Sequence, residues 1–402
     1  MKPIRHITLP RGFLAAGVKC GIKASGKEDL ALIVGAKPVA AALLTTSNQV
    51  FGAPVAYSRA VLPKGYGTIR GIVINSGCSN VATGARGRKD AADMAAAAAK
   101  AVGAKPDEML VASTGIIGHH LPMEKVRRGI AAAAGRLGTD SDQFALRAMM
   151  TTDTREKSAV VQTRVGRETL TVAGVVKGVG MIAPALTGPH ATMIAVVTTD
   201  AEIAPPELYK LWRRACAISF NAVTVDSDQS TSDTAVVMAS GCGPSVAAAP
   251  ARKKFAAALE EVCTELAMAI ARDGEGATRL VIIDVIGAAS DRDAEIAAKS
   301  VANSPLFKTA VHGADPNWGR IAMAVGKSAA KVDPDKLSIK IGPVTLFSRG
   351  RPRAFDAAAV SELLKAETVR VRVDMGLGKG KFTAYTCDLS REYITINADY
   401  HT

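Results

Sequence analysis

A threonine that opens a strand-like segment, directly after a stretch rich in glycine and proline, is the first feature that suggests catalysis. The stretch Lys177-Gly-Val-Gly-Met-Ile-Ala-Pro184 leads through residues 185–191 to Thr192. Attack of the Thr192 hydroxyl on the carbonyl of Ala191, followed by hydrolysis, would free an α-amine whose pKa of about 8 suits a base. On the pattern alone, a threonine that opens a strand more often reflects ordinary β-propensity, and only the flanking sequence favours the catalytic interpretation.

The segments that must position this threonine alternate irregularly between strand and helix patterns, which argues against a repeated βαβ wheel. Aromatic residues are only 4% of the chain, so small and β-branched side chains must build the core of a layered α/β structure. Runs of Val, Ile and Thr predict strands at residues 69–74, 169–176, 192–198, 279–286, 337–341, 369–373 and 382–387. Apolar and alanine-rich runs predict helices at residues 91–102, 123–134, 206–217, 251–272 and 292–302.

Composition narrows the classes of function. The 402 residues carry a net charge of +13, but the basic residues form short scattered groups at 86–89, 252–254 and 349–353. Such groups are typical of solvated surface rather than a nucleic-acid site, and they also suit the attraction of anionic metabolites. The N-terminus has no apolar signal region, and the most apolar stretch, 30–44, is interrupted by Lys37 and Pro38. We therefore expect a cytoplasmic protein that binds neither nucleic acid nor membrane.

Cysteine and histidine usage gives no metal-site pattern. The six cysteines are far apart, without a Cys-x-x-Cys pair or a histidine at ligand spacing, so free thiols and no metal are expected. Cys78 is interpreted as a small buried thiol. His119, His120 and His190 lie near the candidate residues, but we expect structural roles because the new α-amine would supply the base.

Ordered motifs along nearly the whole chain resemble the ornithine acetyltransferase family. Its nucleophile region is matched by residues 177–184, by Ala191-Thr-Met193 and by Thr199-Asp-Ala201. Further matches are Asn75-Ser-Gly77, Ser113-Thr-Gly-Ile-Ile-Gly118, Thr151-Thr-Asp-Thr154, Ser219-Phe-Asn-Ala-Val-Thr-Val-Asp226, Gly274-Glu-Gly-Ala-Thr278, Asp315-Pro-Asn-Trp-Gly-Arg320 and Ile396-Asn-Ala-Asp-Tyr400. The resemblance implies an α/β fold, αββα-like, with two central β-sheets packed face to face and helices outside. It also implies cleavage into an α segment, 1–191, and a β segment, 192–402, that remain interleaved as one unit.

The same resemblance assigns the site residues. Thr114 and Gly115 would form the oxyanion hole, and cleavage would fall between Ala191 and Thr192. The substrate-binding positions it implies are Thr154, Lys177, Thr192, Glu275, Asn397 and Thr402. A cation at Lys177 suits an α-carboxylate, and Glu275 suits the amine of ornithine. Without the resemblance, residues 113–115 would favour a simple strand-to-helix turn, and Glu275 would be interpreted as an ordinary surface side chain.

The implied activity is transfer of acetyl from N-acetylornithine to glutamate by a ping-pong mechanism through acetyl-Thr192, which recycles acetyl groups in arginine biosynthesis. No cofactor is expected. Whether acetyl-CoA is a co-substrate stays open: the glycine-rich segment Gly376-Leu-Gly-Lys-Gly380 is only a weak candidate for a phosphate site, because it opens no helix. An assembly of two α/β pairs, a heterotetramer, is implied. The alternatives are an autoproteolytic amidase or aminopeptidase of related fold, a paralogue acting on a related amino acid, and a non-catalytic binding protein.

The chain departs from the family pattern immediately before the proposed nucleophile. Residues 185–190 number six where the family usually has two. Thr187 therefore becomes a rival nucleophile when the spacing is counted from Pro184. Thr192 is preferred because the match with the following strand is longer and because Thr192 keeps the preceding alanine.

Overall fold

A computed structural model of the chain describes residues 5–183 and 193–399. These residues belong to two compact units, each with its own β-sheet. Of the described residues, the first unit takes 5–183, 193–221 and 229–266, and the second takes 222–228 and 267–399.

Sheet 1 belongs to the first unit and contains eight strands. They are β1 (Phe13–Val18), β2 (Leu30–Thr45), β3 (Tyr66–Cys78), β4 (Met109–Ile116), β5 (Ser158–Val165), β6 (Glu168–Lys177), β7 (Ile194–Thr199) and β8 (Thr234–Ala239). Their order across the sheet is β4-β3-β2-β8-β7-β6-β5, with β1 also paired to β2. The pairs β3/β4 and β7/β8 are parallel, and the other pairs are antiparallel.

Helices of the first unit cover this sheet with small side chains. They are α1 (Ala53–Val61), α2 (Gly84–Val102), α3 (Met123–Ala134), α4 (Asp142–Met149) and α5 (Pro205–Ile218), and α6 (Ala249–Arg272) continues from the first unit into the second. Ala95 and Ala98 of α2 pack with Val73 and Val111 of the sheet. Alanines at the helix–sheet contact allow the close approach that a core poor in aromatic residues requires.

Sheet 2 belongs to the second unit, with strand order β12-β11-β10-β13-β9-β14. Its strands are β9 (Leu280–Ala288), β10 (Ser338–Ile341), β11 (Val344–Ser348), β12 (Arg351–Pro352), β13 (Thr368–Asp374) and β14 (Gly380–Cys387). Its helices are α7 (Asp291–Ala302), α8 (Pro305–His312), α9 (Trp318–Gly326), α10 (Ala357–Leu364) and α11 (Arg391–Asp399). Val371 and Val373 alternate with exposed arginines on β13 and pack against alanines of α7, as expected for a sheet with one buried face.

The predicted mixed α/β class with two sheets and helices is confirmed, and each predicted strand and helix overlaps an element of the same type. The strand predicted at residues 192–198 is described from Ile194 onward, because Thr192 lies outside the described residues. Sheet 1 takes strands from both sides of position 191, whereas the second unit lies wholly after it. The face-to-face packing of the two sheets stays a prediction. Among the described residues, no helix is both long and apolar enough to cross a bilayer.

Candidate active site

Two glycines bring the ends of neighbouring parallel strands unusually close. β3 and β4 pair in register, with Ser76 opposite Thr114 and Gly77 opposite Gly115. Gly115 has φ +125°, and a Cβ added there would lie 2.4 Å from the carbonyl carbon of Gly77. Only glycine fits this approach. Residues 113–115 pair with β3 as part of β4, which continues to Ile116, so they do not form the strand-to-helix turn that was the alternative prediction.

A buried polar network fixes the backbone behind this strand end. The Ser113 hydroxyl donates to Asn75 Oδ1 at 2.6 Å, and Asn75 Nδ2 donates to the carbonyl of Cys78 at 2.8 Å. Asn75 and Ser113 are almost completely buried, so these groups must be paired with one another to avoid a desolvation penalty. The network therefore ties Ser113, the residue before Thr114 on β4, to the neighbouring strand β3.

Lys177 reaches Thr114 from the last position of β6. Its Nζ donates to the Thr114 hydroxyl at 3.0 Å, and the lysine is only 8% exposed. An ammonium group has no acceptor, so Thr114 Oγ1 must accept this bond and its own hydrogen must point elsewhere. Thr114 is thereby prepared as a hydrogen-bond donor beside a positive charge.

Asp153 provides the negative charge that compensates this cation. Its carboxylate lies 2.6 Å from Lys157 Nζ, and both side chains are almost completely buried. Asp153 Oδ1 also accepts the backbone N–H of Gly178 at 2.8 Å. Burial by itself would raise the pKa of Asp153, but the charges of Lys157 and Lys177 outweigh it and lower the pKa to about 2.

The pairing of β6 with β7 begins two residues after the proposed nucleophile in the sequence. Lys177 pairs with Ile194 in the antiparallel register of β6 and β7. Met193 is fully buried, and its carbonyl accepts the N–H of Thr234 at 2.8 Å. A Cβ added to Gly178 would lie 3.6 Å from Met193 Cβ. The predictions at Ala191, Thr192 and Thr187 fall outside the described residues.

Two further predicted substrate residues meet within the second unit. Asn397 Nδ2 on α11 donates to Glu275 Oε2 at 3.0 Å. The helix approaches closely because Gly276, next to Glu275, has φ +69° and lies against the backbone N–H of Tyr393. The carboxylate of Glu275 is half-buried, and Asn397 is exposed. Thr402 lies outside the described residues, as do all of residues 400–402.

The remaining sequence predictions have plain structural outcomes. Thr154 is exposed and directly follows Asp153, so the loop that carries it is held next to Gly178. His119 and His120 are exposed. Cys78 is buried, and burial raises the pKa of its thiol, which agrees with a structural role. In residues 5–183 and 193–399, no three His, Cys, Asp or Glu side chains converge as metal ligands would.

Sequence reasoning missed three charged residues of this site. Asp153 lies inside the matched motif at residues 151–154, and Lys157 follows it four residues later. Opposite charges at this spacing are a signal from which an ion pair could have been predicted. Lys23 lies in the loop between β1 and β2, and its charge interacts with those of Lys177 and Asp153. No local pattern distinguishes Lys23, because only the pairing of β3 with β2 brings this loop to the site.

Comparison with known proteins agrees with this architecture. The sequence profile of the ArgJ family matches residues 14–402. The chain is 42% identical over 400 residues to the arginine biosynthesis bifunctional protein ArgJ of Geobacillus kaustophilus, covering 98% of this chain and 96% of that protein. It is 43% identical over 401 residues to the protein of the same name from Deinococcus radiodurans, covering 100% of both. The crystal structure of the arginine biosynthesis bifunctional protein argJ from Bacillus halodurans matches with a TM-score of 0.50 and 41% identity, over 51% of this chain and 98% of that chain.

Proposed function

This chain belongs to the ArgJ family of bifunctional arginine-biosynthesis enzymes, and from that premise we propose that it transfers acetyl from N-acetylornithine to glutamate through an ester on Thr192. The observation that carries the proposal is the hydrogen bond from Lys177 to Thr114. That bond leaves the Thr114 hydrogen directed away from the lysine, as an oxyanion donor requires. Thr114 and the backbone N–H of Gly115 are the proposed oxyanion hole.

The proposed maturation step creates the nucleophile. Thr192 Oγ attacks the carbonyl carbon of Ala191, its proton passes to the threonine nitrogen, and the C–N bond breaks to leave an ester. Water then hydrolyses the ester, so that Ala191 ends in a carboxylate and Thr192 keeps a free amine and hydroxyl. The match with a crystallised relative whose chain is about half as long as this one supports two separate segments, here 1–191 and 192–402.

Acetyl transfer then proceeds in two balanced steps. The Thr192 amine accepts the hydroxyl proton while Oγ attacks the acetyl carbon of N-acetylornithine, and ornithine leaves with that proton on its nitrogen. The amine of glutamate next attacks the acetyl ester, and Oγ leaves as the threonine hydroxyl. Each tetrahedral intermediate places its negative charge on the acetyl oxygen, which Thr114 and Gly115 would stabilise.

The proposed substrate contacts follow from charge. Lys177 is the cation for the α-carboxylate that both amino acids share. Glu275 is assigned to the side-chain ammonium of ornithine, and its bond from Asn397 supports a fixed carboxylate there. Thr154 and Thr402 complete the proposed set. The word bifunctional in the names of the relatives favours a second donor, acetyl-CoA, as a further candidate activity.

Intact mass spectrometry tests the maturation. We expect fragments 1–191 and 192–402 for the natural sequence and for Thr192→Ser, and a single uncut chain for Thr192→Ala. Thr187→Ala is the matched control, because it changes the rival threonine and should cut normally. A cut before residue 187, or cleavage of Thr192→Ala, would contradict the assignment. Native mass spectrometry should detect an assembly with two copies of each segment, which is the proposed heterotetramer.

Product analysis tests the reaction. Purified protein should convert N-acetylornithine and glutamate to ornithine and N-acetylglutamate without added metal or nucleotide. Parallel reactions should contain acetyl-CoA with glutamate, or N-acetylornithine alone. Release of acetate without glutamate consumption identifies the amidase alternative, and transfer only to another amino acid identifies the paralogue. An uncut chain that binds ligand without turnover identifies the non-catalytic alternative.

A further inference from the structure

The loop that carries Lys23 is held in one conformation by a buried carboxylate. Asp29 is fully buried and accepts the backbone N–H groups of Cys20, Gly21, Ile22 and Lys23 at 2.6–3.1 Å. Lys23 Nζ donates to the carbonyl of Glu28 at 2.6 Å. A loop with its amide groups fixed in this way positions the side chain of Lys23 in advance of any ligand.

Lys23 lies against the same strand end that carries Thr114. Its Cγ is 3.1 Å from the position that a Cβ on Gly77 would take, and Gly77 pairs with Gly115. Burial lowers the pKa of Lys23 to about 8; the charge of Asp29 opposes this shift, and that of Lys177 adds to it. Lys23 and Lys177 therefore lie within electrostatic reach of each other, beside the proposed oxyanion hole.

The two amino acids of the proposed reaction need different partners for their side chains. N-acetylornithine carries one carboxylate and a side-chain ammonium, whereas glutamate carries two carboxylates. A single cation at Lys177 suits the one carboxylate of the donor, but it cannot pair with both carboxylates of glutamate at once. Two neighbouring cations repel each other, and a dicarboxylate relieves that repulsion by binding both.

We propose that Lys23 is a specificity residue that binds the side-chain carboxylate of the acceptor, while Lys177 takes the α-carboxylate. The inference rests on the proposed acetyl transfer and extends it to acceptor choice. Glutamate then finds a cation for each of its two carboxylates, whereas N-acetylornithine needs only the cation at Lys177.

Steady-state kinetics of Lys23→Met test this division. The variant keeps an unbranched apolar stem and removes the charge. We expect the KM for glutamate to rise about 10- to 100-fold, as loss of a charge-assisted hydrogen bond predicts, and the KM for N-acetylornithine to change less than about threefold. Lys23→Arg should restore most of the affinity for glutamate. Lys19→Met, at an exposed position that begins the same loop, is the matched control and should leave both KM values unchanged.

The preference for glutamate over glutamine as acceptor distinguishes the proposed role of Lys23 from a purely structural one, because a structural role would not change that preference. The natural sequence should prefer glutamate to glutamine, and Lys23→Met should lose that preference. Equal losses for both acceptors, or equal increases in the two KM values, would overturn the proposal by showing that Lys23 only supports the fold. If the natural sequence transfers no acetyl to glutamate and calorimetry detects no glutamate binding, the proposed function itself fails, and the inference fails with it.

The pH dependence of inhibition gives an independent test. Glutarate has two carboxylates and no amine, so its inhibition constant avoids titration of the substrate amine. The charged groups that face Lys23 are Asp29, Lys177, Asp153 and Glu28. Because Lys23 loses its charge as pH rises through about 8, glutarate inhibition should weaken above that pH in the natural sequence. The weakening should shift to higher pH in Lys23→Arg; the same pH profile in both proteins would refute the assignment.

Discussion

Replacing Asp153 with asparagine separates the charge of the buried cluster from its shape. Asparagine keeps an oxygen that can accept the N–H of Gly178, so the substitution mainly removes the negative charge opposite Lys157 and Lys177. The Asp153 carboxylate is inaccessible, and the Lys157 side chain is 2% exposed. Removing one partner of such a buried pair typically destabilises a protein by about 3 to 5 kcal/mol. We expect about 3 kcal/mol, because the geometry of the remaining hydrogen bonds is largely kept.

Part of this loss of stability should depend on pH and should become smaller as the pH falls. The folded state lowers the pKa of Asp153 from 3.8 to about 2. A lowered carboxyl pKa stabilises the protein at pH values above the unfolded pKa, and the stabilisation is lost as pH falls through the folded pKa. The full contribution is on the order of 2 kcal/mol, and roughly 1 kcal/mol of it is lost by about pH 3. The difference in free energy of unfolding between the natural sequence and Asp153→Asn should therefore decrease by roughly 1 kcal/mol from about pH 7 to about pH 3.

Urea unfolding followed by circular dichroism measures the gap. Both proteins should carry Thr192→Ala, so that each sample is one uncut chain and unfolding does not depend on reassociation of segments. Asp93→Asn is the matched control: Asp93 pairs with Lys89 and Arg127 at 2.8 Å but is 28% exposed, so its loss should stay within about 1 kcal/mol. A loss below about 1 kcal/mol for Asp153→Asn, or a gap independent of pH, would refute the account of the cluster.

Three further substitutions test the strand end and the second unit. Gly115→Ala should destabilise the protein by about 2 kcal/mol or more in urea unfolding and slow acetyl transfer, because the new Cβ meets the backbone of Gly77. The control is Gly118→Ala, whose new Cβ has nothing within 4 Å; it should have a smaller effect on both stability and transfer. Thr114→Val should slow transfer about 100-fold in product assays, and Thr114→Ser should retain most activity. In the second unit, the buried Asp388 carboxylate accepts the backbone N–H groups of Thr278 and Arg279 and the Thr278 hydroxyl at 2.6–2.9 Å. Burial by itself would raise the pKa of Asp388, but these hydrogen bonds outweigh it and lower the pKa. Asp388→Asn should therefore lower the free energy of unfolding by about 2 kcal/mol near pH 7, and by progressively less as acid protonates the carboxylate.

Sequence patterns predicted the elements whose signal is local. The helix predicted at residues 123–134 has those bounds, and the strands at 169–176 and 369–373 overlap β6 and β13 closely. The long strand β2 was not predicted, although residues 30–44 were recognised as apolar, because Lys37 and Pro38 interrupt the run. The structure places these residues at a shift in register between Val34 and Val39, where a strand tolerates exposed charge and proline.

The sequence Asn75-Ser-Gly77 shows a second limit of local patterns, because the strand predicted at residues 69–74 continues through it. Asn-Ser-Gly is a turn sequence when its polar side chains face solvent. Here Asn75 and Ser76 are buried, and their hydrogen bonds go to Cys78 and to Ala148 of α4. The polar groups are satisfied by tertiary partners, so the strand continues to Cys78. Local propensity carried no information about those partners.

The same reasoning explains why the family resemblance identifies Thr114 and Lys177 as site residues but does not identify the charged residues around them. A motif identifies the residues that touch a ligand, whereas the charge state of those residues depends on groups brought in by sheet pairing. Lys177 donates to Thr114 and is balanced by Asp153, so the carboxylate that stabilises the fold also keeps the cation beside the proposed oxyanion donor. Removal of Asp153 should therefore reduce stability and acetyl transfer together. The Asp93 substitution should change stability by no more than about 1 kcal/mol and leave acetyl transfer unchanged, because its ion pairs are largely exposed.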